Sequence, residues 1–427
     1  MDWKQFEDYI SNKMKKDHIA GLAVAISQHG ELLYQKGFGY RDINDQQAVT
    51  PETIFGTASI TKSFTAASII MLQQKEKLSV DDPVSKYIPE LTISGVNVDS
   101  IKIHHLLSHT SGLPPITRNE QLTNLQAHLT YLRNTSIQLL GEPGTYFSYS
   151  NDAFLLLGII IERVSGITYR EFITKHFLEH YQMNRTTFYL DNLAVFDNVS
   201  TPYTYSKKQS QFDVEPWPTL GNYAVGGGIR STVLDLLKYG EHYFGVNKGE
   251  YNQMWQPHIY VKPREDYGYA LAVTENYNGV TLVRHSGGQH GVSSYFGFIP
   301  EKHIVISVLT NVTGVPVNDV WLAAVNTALG LPVDQQIDVG ESSSLSAQEG
   351  IRFTGKYTSA EGDTFEVKLS HNKVVAVVEG TEYDLEQLDQ QTLIVKIENF
   401  TLPFLMDDNN LAWAVRFGMR VLRKIRD

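Results

Sequence analysis

Residues 55–67 read Phe-Gly-Thr-Ala-Ser-Ile-Thr-Lys-Ser-Phe-Thr-Ala-Ala, and this stretch decides the fold. Apolar side chains recur at spacings of four, three and four residues from Ile60 to Met71. This is the period of one face of an α-helix. The stretch therefore predicts a helix over residues 58–75.

Ser59 and Lys62 lie one turn apart in the predicted helix, so their side chains share one face. A serine hydroxyl becomes a good nucleophile when a neighbouring group takes its proton, and a lysine can do so if burial lowers its pKa. Ser59 also lies where the helix begins, and free backbone N–H groups there favour negative charge. The alternative interpretation is a helix-capping serine followed by a solvated lysine.

Composition places the chain among folded globular proteins. Of its 427 residues, 42% are hydrophobic and 19% are charged, which excludes disorder and coiled coil. The formal net charge of −11 argues against a nucleic-acid partner and against docking on an anionic membrane, since both require basic surfaces. The cysteine count of 0 excludes disulfides, thiolate metal sites and cysteine nucleophiles.

Strand patterns flank a mostly helical middle segment. Residues 21–27 and 31–37 are apolar-rich and are separated by a short turn, which is typical of a hairpin. Residues 295–299 and 304–309 return to strand character. We expect an α+β fold in which strands from the two ends meet in one sheet.

A linker composition, rich in Gly, Ser and Glu, is found over residues 337–349. We therefore predict one domain over residues 1–336 and a second, smaller domain over residues 350–427. In the second segment short strands alternate with turns, and residues 364–370 alternate apolar and polar side chains. This pattern predicts a small antiparallel β barrel or meander.

A second candidate site motif is Tyr149-Ser150-Asn151, which directly precedes an apolar helical run. A tyrosine hydroxyl beside a cationic lysine can have its pKa lowered enough to accept and donate a proton. An asparagine side chain offers both a donor and an acceptor to a substrate amide. The alternative is a turn tyrosine and a helix-capping asparagine.

The third candidate motif is His285-Ser286-Gly287-Gly288, at the start of the late strands. The two glycines let a substrate backbone lie against the strand and leave an open N–H as a donor to an oxyanion. His285 can orient the site or contact a carboxyl or carbonyl group. The alternative is a hairpin turn with a surface histidine.

Taken together and in this order, the three motifs resemble those of the serine β-lactamase and penicillin-binding protein superfamily. The resemblance is strongest to the class C-like branch of D-peptidases and esterases. Family motifs are Ser-x-x-Lys, Tyr-x-Asn and Lys- or His-x-Gly, and the matching stretches extend over about residues 20 to 315. Further matching stretches are Asp82-Pro83-Val84, residues 104–113, Pro143-Gly144 and Gly226-Gly227-Gly228.

The resemblance implies a role for each matched residue. Ser59 would attack a carbonyl to form an acyl-enzyme, while Lys62 and Tyr149 pass its proton to the leaving group. The residues expected to bind substrate or to form the oxyanion site are Asn151, His285, Gly287 and Gly288. The backbone N–H groups of Ser59 and Gly288 would stabilise the oxyanion.

The resemblance also implies a fold: an antiparallel sheet flanked by helices, with a helical subdomain. The C-terminal β domain is similar to the lipocalin-like domains that some family members carry. Such a domain could cover the active site or select the substrate.

His285 departs from the lysine that many family members have at this position. The family Lys-Thr-Gly motif helps to hold the carboxylate of penicillins, and a histidine is neutral for part of the population at pH 7. We therefore favour a D-amino-acid peptidase, amidase or carboxypeptidase-like enzyme with a small-molecule substrate. The alternatives are a carboxylesterase with the same residues and a catalytically silent member that binds peptidoglycan or a partner.

Two other groups of residues are expected to carry no chemistry. His105 and His109 have the spacing of a helical zinc pair, but Leu106 stands where a metalloprotease has Glu, and no third ligand follows. We therefore expect neither a metal nor a cofactor. The basic residues near the C-terminus are expected on the solvated face of a last strand: Arg420, Arg423, Lys424 and Arg426.

Cellular location is predicted from the absence of targeting patterns. Residues 1–10 predict an amphipathic helix rather than a secretory signal. The longest apolar run is far shorter than the roughly 20 residues of a transmembrane helix. The sequence as written predicts a cytoplasmic protein, or an extracytoplasmic one if a signal peptide has been removed, and it leaves the oligomeric state open.

Overall fold

Most of the helices lie in the middle of the chain. The structure is a computed structural model that describes residues 1–244, 251–378 and 380–425. A 3₁₀ turn over Ala58–Ile60 leads directly into the helix predicted from the opening stretch. The helices are α1 (Trp3–Lys16), α2 (Thr61–Gln74), α3 (Ile103–Leu107), α4 (Leu125–Asn134), α5 (Asn151–Ser165), α6 (Tyr169–Ile173), α7 (Leu190–Leu193), α8 (Val233–Glu241), α9 (Val317–Leu329) and α10 (Ala347–Gly350).

The strands fall into two large sheets and two short pairs. Those in the first part of the chain are β1 (Gly21–Gln28), β2 (Glu31–Asp42), β3 (Gln47–Ala48), β4 (Phe55–Gly56), β5 (Tyr203–Ser206), β6 (Gln211–Val214), β7 (Arg230–Ser231), β8 (Ile259–Lys262), β9 (Glu265–Tyr267), β10 (Ala272–Tyr277), β11 (Val280–Gln289), β12 (Val292–Ile299) and β13 (Ile304–Thr310). Those in the last part are β14 (Ser343–Ser344), β15 (Gly355–Thr358), β16 (Thr364–Ser370), β17 (Lys373–Val378), β18 (Thr381–Asp384), β19 (Glu386–Gln387), β20 (Thr392–Val395), β21 (Phe400–Met406), β22 (Ala412–Phe417) and β23 (Arg420–Lys424).

The first large sheet joins strands from the two ends of the first segment. Its nine strands run in the order β3-β2-β1-β13-β12-β11-β10-β9-β8. The central pair β1 and β13 is antiparallel, with Leu22 opposite Thr310 and Gln28 opposite Ile304. The early and late strands therefore meet, and the predicted α+β class is confirmed.

Each face of this sheet is covered by helices. Along β1 the side chains alternate, so Ala23 and Ala25 enter one buried core while Leu22 and Val24 enter the other. The first core contains α2 and α5, and the second contains the inner sides of α1 and α9. This helix-sheet-helix arrangement buries α2 deep in the molecule. Within the described ranges, no helix is long and apolar enough to span a membrane.

The second large sheet is a curled half-barrel of ten antiparallel strands in the order β14-β19-β20-β21-β22-β23-β15-β16-β17-β18. It encloses its own core, which includes Phe353, Tyr357, Val415 and Leu422. The predicted C-terminal antiparallel β domain has this form. β14 lies inside the predicted linker and pairs with β19. The predicted domain limits at 1–336, 337–349 and 350–427 stay predictions, and residues 426 and 427 lie outside the described residues.

Substitution of Trp321 on α9 tests how much the core between this helix and the first sheet contributes to stability. Its side chain is fully buried, and its indole N–H donates to the Ile306 carbonyl at 3.3 Å. We expect Trp321→Ala to lower the free energy of unfolding by about 3–5 kcal/mol, because it leaves a large cavity. Trp321→Phe, which keeps a ring there, should lose clearly less. Urea unfolding followed by circular dichroism measures both, and equal losses would contradict this account of the core.

Candidate active site

Ser59 lies in the 3₁₀ turn that leads into α2. The short pair β4 and β7 fixes the segment before it, and the Thr57 N–H donates to the Ile229 carbonyl at 3.0 Å. Ala58 has a φ of 44°, a left-handed conformation that costs energy in a residue other than glycine. This turn brings the half-buried Ser59 to the wall of a cavity while α2 itself stays buried.

Lys62 is the buried neighbour of Ser59 on α2. Its Nζ lies 3.2 Å from Ser59 Oγ and donates to the Gly226 carbonyl at 2.9 Å. The side chain is only 1% exposed, and burial lowers its pKa well below the ordinary lysine value. The nearby cations Arg118 and Arg420 lower this pKa further. The amine is therefore biased towards its neutral form, whose lone pair can accept a proton.

Gly226 ends a 3₁₀ turn over Gly221–Gly226 that closes over Lys62. A Cβ at Gly226 would lie 2.8 Å from Lys62 Nζ, so only glycine lets the backbone approach the amine this closely. Tyr223 of the same turn donates to Asp152 Oδ1 at 3.1 Å, and His128 also lies 3.1 Å from that oxygen. This buried carboxylate ties the turn to the beginning of α5.

The Tyr149 ring lies next to the Lys62 amine. The lysine Nζ is 5.0 Å from the centre of the tyrosine ring, and the ring is buried. Burial raises the pKa of Tyr149 to about 12, although Ser59 and Arg420 act in the opposite direction. The expectation that a cationic lysine would lower this pKa is wrong, because Lys62 is itself desolvated. Tyr149 is a protonated phenol at neutral pH.

Asn151 is the first residue of α5, and it lines the same cavity as Ser59. The residue before it, Ser150, caps the helix by accepting from the Ala153 N–H at 3.2 Å. The capping role considered for Asn151 therefore belongs to its neighbour. The Asn151 amide remains at the cavity wall.

The His109 ring lies against the Tyr149 ring, with 4.2 Å between the ring centres. Its Nδ1 accepts from the Ser150 N–H at 3.1 Å, and burial lowers its pKa well below the ordinary histidine value. It supports the loop that carries Tyr149 and Asn151. In the ranges that the structure describes, no group of three His, Cys, Asp or Glu side chains is placed to hold a metal ion.

His285 lies on β11, on another wall of the cavity. Its Nδ1 lies 2.5 Å from the Ser286 carbonyl, and its ring is 5% exposed. Burial, with Lys62 acting in the same direction, lowers its pKa to about 3. The ring is therefore neutral throughout the physiological range rather than in part of the population. β10 pairs with β11 only as far as Arg284, so the edge of β11 beyond it faces the cavity.

Gly287 and Gly288 have different surroundings on β11. A Cβ at Gly287 would lie 2.3 Å from Ser294 Oγ, 2.3 Å from the Thr57 carbonyl and 3.0 Å from the Ser59 backbone nitrogen. A Cβ at Gly288 would meet no atom within 4 Å, and Gly288 lines the cavity. Gly287 thus lets β11 pack against the Ser59 turn, and Gly288 exposes its backbone.

The cavity that these residues share has a volume of about 440 Å³. Ser59, Tyr149, Asn151, His285 and Gly288 all line it, so the three sequence motifs converge at one place. Another wall of the cavity comes from the C-terminal half-barrel. The half-barrel residues that line it are Phe400, Thr401, Gly418, Met419 and Arg420.

The turn between β22 and β23 reaches directly into this cavity. The Met419 carbonyl accepts from the Tyr149 N–H at 2.9 Å. The Arg420 guanidinium lies 5.1 Å from the centre of the Tyr149 ring and pairs with Glu361. The expectation of a solvated Arg420 is wrong, because this side chain is only partly exposed, lines the cavity and pairs with Glu361. Arg426 lies outside the described residues.

The sequence suggested that the C-terminal domain could cover the active site, but it did not indicate which residues of that domain line the cavity. Met419 and Arg420 are about 270 residues from Tyr149 along the chain, and no local pattern links them. The basic residues of the last strand were the one pattern in the sequence that could have indicated this contact. Such runs are also common on solvated faces.

A sequence model of the family described as Beta-lactamase matches residues 6–328. This chain belongs to that family. Among its relatives is Protein flp of Staphylococcus aureus (strain N315), which is 34% identical over 323 residues, or 72% of this chain and 63% of flp. Penicillin-binding protein 4* of Bacillus subtilis is 25% identical over 391 residues, or 86% of this chain and 85% of that protein. The match covers less than two thirds of the length of the flp proteins, only 38% in strain MW2.

Solved structures of the family share the fold. An octameric penicillin-binding protein homologue from Pyrococcus abyssi matches with a TM-score of 0.74 and 29% identity. This match covers 99% of this chain and 100% of the homologue. A class C beta-lactamase has a TM-score of 0.62 and 25% identity over 73% of this chain and 91% of its own. The match to SurE has a TM-score of 0.76 and covers 100% of both chains. Because the identity is only 18%, this match supports the fold alone. The predicted superfamily and fold are confirmed: the chain belongs to the superfamily of serine β-lactamases and penicillin-binding proteins and has its fold.

The two glycines of β11 form a matched pair for a test of the packing at Ser59. Gly287→Ala should lower the free energy of unfolding by about 1–3 kcal/mol, because the new methyl group would overlap backbone atoms beside Ser59. Gly288→Ala adds the same group in open space and should leave stability nearly unchanged. Thermal unfolding of both variants measures the difference. Equal stabilities would show that β11 does not press against the Ser59 turn.

Proposed function

We propose that this protein is a serine hydrolase that forms an acyl-enzyme on Ser59 and cleaves small amides or peptides of the D-amino-acid class. One observation carries the proposal: a desolvated lysine amine lies 3.2 Å from a serine hydroxyl at a cavity wall. A neutral amine in this place can take the serine proton as the oxygen attacks a carbonyl carbon.

Acylation would begin with proton transfer from Ser59 Oγ to Lys62 Nζ. The new Oγ–C bond turns the substrate carbonyl into a tetrahedral oxyanion. Collapse of this intermediate breaks the bond to the leaving group, which takes a proton from the Tyr149 hydroxyl. Lys62, which received the serine proton, restores the Tyr149 proton, so no net charge is left in the site. Attack by water on the acyl-enzyme then completes hydrolysis by the reverse proton transfers.

The other cavity residues would bind the reacting carbonyl and the acyl group. The backbone N–H groups of Ser59 and Gly288 are proposed to donate to the oxyanion. The close approach of Gly287 to the Ser59 backbone nitrogen would set the spacing of the two donors. Asn151 is proposed to bind the amide on the acyl side of the substrate, since its amide can both donate and accept.

Several features support a small substrate of the D-peptide class. The cavity of about 440 Å³ suits a dipeptide-sized molecule, and the half-barrel closes one side of it. Relatives include penicillin-binding proteins, and one solved structure with the same fold is of SurE with D-Leu. Esters have the same reacting carbonyl, so hydrolysis of a D-alanyl amide should be compared with that of a short-chain ester.

The nucleophile is tested by Ser59→Ala. This variant should fold normally, form no covalent adduct with benzylpenicillin or a fluorophosphonate, and lose hydrolysis of D-alanine p-nitroanilide. Ser68→Ala is the matched control, because Ser68 lies more than two turns further along α2 and its hydroxyl donates to the Phe64 carbonyl. Intact-mass spectrometry and a rate assay measure the outcome. Activity in the Ser59→Ala protein would refute the proposed function.

The pH dependence tests the roles of Lys62 and Tyr149. Because burial lowers the Lys62 pKa, its neutral form persists below the usual lysine range, and kcat/KM should fall only when the pH drops through that lowered pKa. Tyr149, with a pKa of about 12, should stay protonated across the assay range. Tyr149→Phe should therefore lower kcat/KM by about 10²- to 10⁴-fold at every pH and keep the acid limb.

A steady-state profile of kcat/KM over the mildly acidic to alkaline range measures both effects. Wild-type rates that continue to rise up to the alkaline end would contradict a lowered pKa of Lys62 in the working enzyme. Unchanged kinetics in Tyr149→Phe would leave Lys62 as the only proton carrier. Lys62→Arg, which keeps a fixed charge, should be inactive in either case.

A further inference from the structure

Asp152, the second residue of α5, is a buried acid that the proposed mechanism does not use. Its side chain is 1% exposed. Oδ1 accepts from the Tyr223 hydroxyl at 3.1 Å and lies 3.1 Å from His128 Nε2. The residue also lies in the first turn of α5, where the helix favours negative charge. A buried carboxylate is costly without such groups, so these contacts hold the charge at a definite place.

The two hydrogen-bond partners of Asp152 do not cancel its charge. Burial, and then the Asp152 charge, raise the pKa of Tyr223 above the ordinary tyrosine value, so its hydroxyl stays a donor. A carboxylate oxygen only accepts, so His128 presents a proton on Nε2. His128 Nδ1 is buried without a hydrogen-bond partner among the described residues, and a second ring proton there would lack an acceptor. Both partners are therefore neutral donors.

Two structural connections link Asp152 to Lys62. Two residues further along α5, the centre of the Phe154 ring lies 5.6 Å from Lys62 Nζ. On the other side, Tyr223 belongs to the 3₁₀ turn that ends at Gly226, whose carbonyl accepts from Lys62 Nζ at 2.9 Å. The two elements that enclose the lysine amine are thus the two that meet at the Asp152 carboxylate.

Charged side chains from several elements act on the Lys62 amine. Burial lowers its pKa, and Arg118 and Arg420 lower it further. Glu361 and Asp152 act in the opposite direction and raise it. The Glu361 carboxylate is bound to the Arg420 guanidinium, so these two charges largely offset each other at a distance. Asp152, by contrast, forms no ion pair with a lysine or arginine in the part of the chain that the structure describes.

Three further ionisable side chains around Lys62 are uncharged at neutral pH. Burial raises the pKa of Tyr149 to about 12 and lowers that of His285 to about 3. Burial also lowers the pKa of His109 well below the ordinary histidine value. None of the three can balance a new positive charge on the lysine, so that task falls to a fixed anion.

We propose that Asp152 is a positioning residue of this site, whose fixed negative charge stabilises the ammonium that Lys62 becomes when it takes the Ser59 proton. The inference rests on the proposed function and adds to it the group that opposes desolvation of this cation. Asp152 takes no proton itself: the proton moves from Ser59 Oγ to Lys62 Nζ, and Lys62 later returns one to Tyr149. A charge that is already in place needs no reorganisation when the cation forms.

Asp152→Asn tests the charge, because it keeps the size of the side chain and an oxygen acceptor for Tyr223. The Lys62 pKa can be followed by the carbon NMR signal of its Cε in lysine-labelled protein, assigned by its loss in Lys62→Arg. This pKa should be lower in Asp152→Asn than in the wild type, because a nearby negative charge is gone. An unchanged or higher Lys62 pKa would overturn the proposal.

Kinetics of Asp152→Asn give a second, independent readout. The acid limb of kcat/KM for D-alanine p-nitroanilide should move to lower pH, in step with the Lys62 pKa. The value of kcat per active site should fall by about 10-fold, the factor that corresponds to one pKa unit. A loss of folded protein alone would leave both quantities unchanged once active sites are counted by fluorophosphonate labelling, and that result would overturn the proposal.

Asp235→Asn is the matched control. Asp235 is a buried acid in the first turn of α8 that accepts from a hydroxyl, Thr186 Oγ1, at 2.9 Å. It is not among the charges that act on Lys62. This variant should therefore leave the Lys62 pKa and kcat per active site at their wild-type values. Equal pKa changes in Asp235→Asn and Asp152→Asn would overturn the proposal, because any buried acid would then have the same effect.

Tyr223→Phe separates the charge of Asp152 from the hydrogen bond that it accepts, and it answers the question even if Asp152→Asn does not fold. The variant removes the hydroxyl and keeps the carboxylate, so the Lys62 pKa should stay close to that of the wild type. A clear change of this pKa would overturn the proposal, because the bonded turn and not the charge would then govern Lys62. Absence of hydrolysis by the wild type would count against the proposed function only, since the NMR titration needs no turnover.

Discussion

Burial of the Lys62 amine against the Gly226 carbonyl is the constraint on which the rest of the site depends. A lysine in bulk water is charged at neutral pH and cannot take a proton from Ser59. Desolvation lowers the pKa of Lys62 and so favours its neutral form, and desolvation requires α2 to lie deep between the sheet and α5. The same requirement explains the glycine at position 226, where any side chain would displace the amine.

The groups around Lys62 are consistent with a site that holds little charge. Burial keeps His109 and His285 neutral and Tyr149 protonated, and each is affected by the same low-polarity surroundings. Charged side chains stand further out and, apart from Asp152, occur in pairs, such as Arg420 with Glu361 and Arg284 with Glu265. In the proposed mechanism, a proton that moves between serine, lysine and tyrosine meets neutral side chains first and charged ones only further out. This arrangement favours transfer over trapping of the proton.

The sequence predicted the parts of the site that depend on local spacing. Ser59 and Lys62 share a face because three residues separate them on a helix, and the family motifs located Tyr149 and His285. The pKa of Tyr149 was predicted in the wrong direction, because the charge of Lys62 depends on how deeply α2 is buried. The tautomer of His285 depends on a contact with the next carbonyl, and the place of Arg420 depends on a hairpin from another sheet. None of these three features can be deduced from the spacing of residues along the sequence.

The hydrogen bond from the Tyr149 N–H to the Met419 carbonyl has a consequence for biosynthesis. The two residues are far apart in the chain, and a ribosome makes Tyr149 long before Met419. Until the hairpin between β22 and β23 has emerged from the ribosome and docked, one wall of the cavity is missing and the loop of Tyr149 lacks its backbone partner. We therefore expect a nascent chain with a folded first segment to have an open site, whose cavity closes only after the hairpin has left the ribosome and docked.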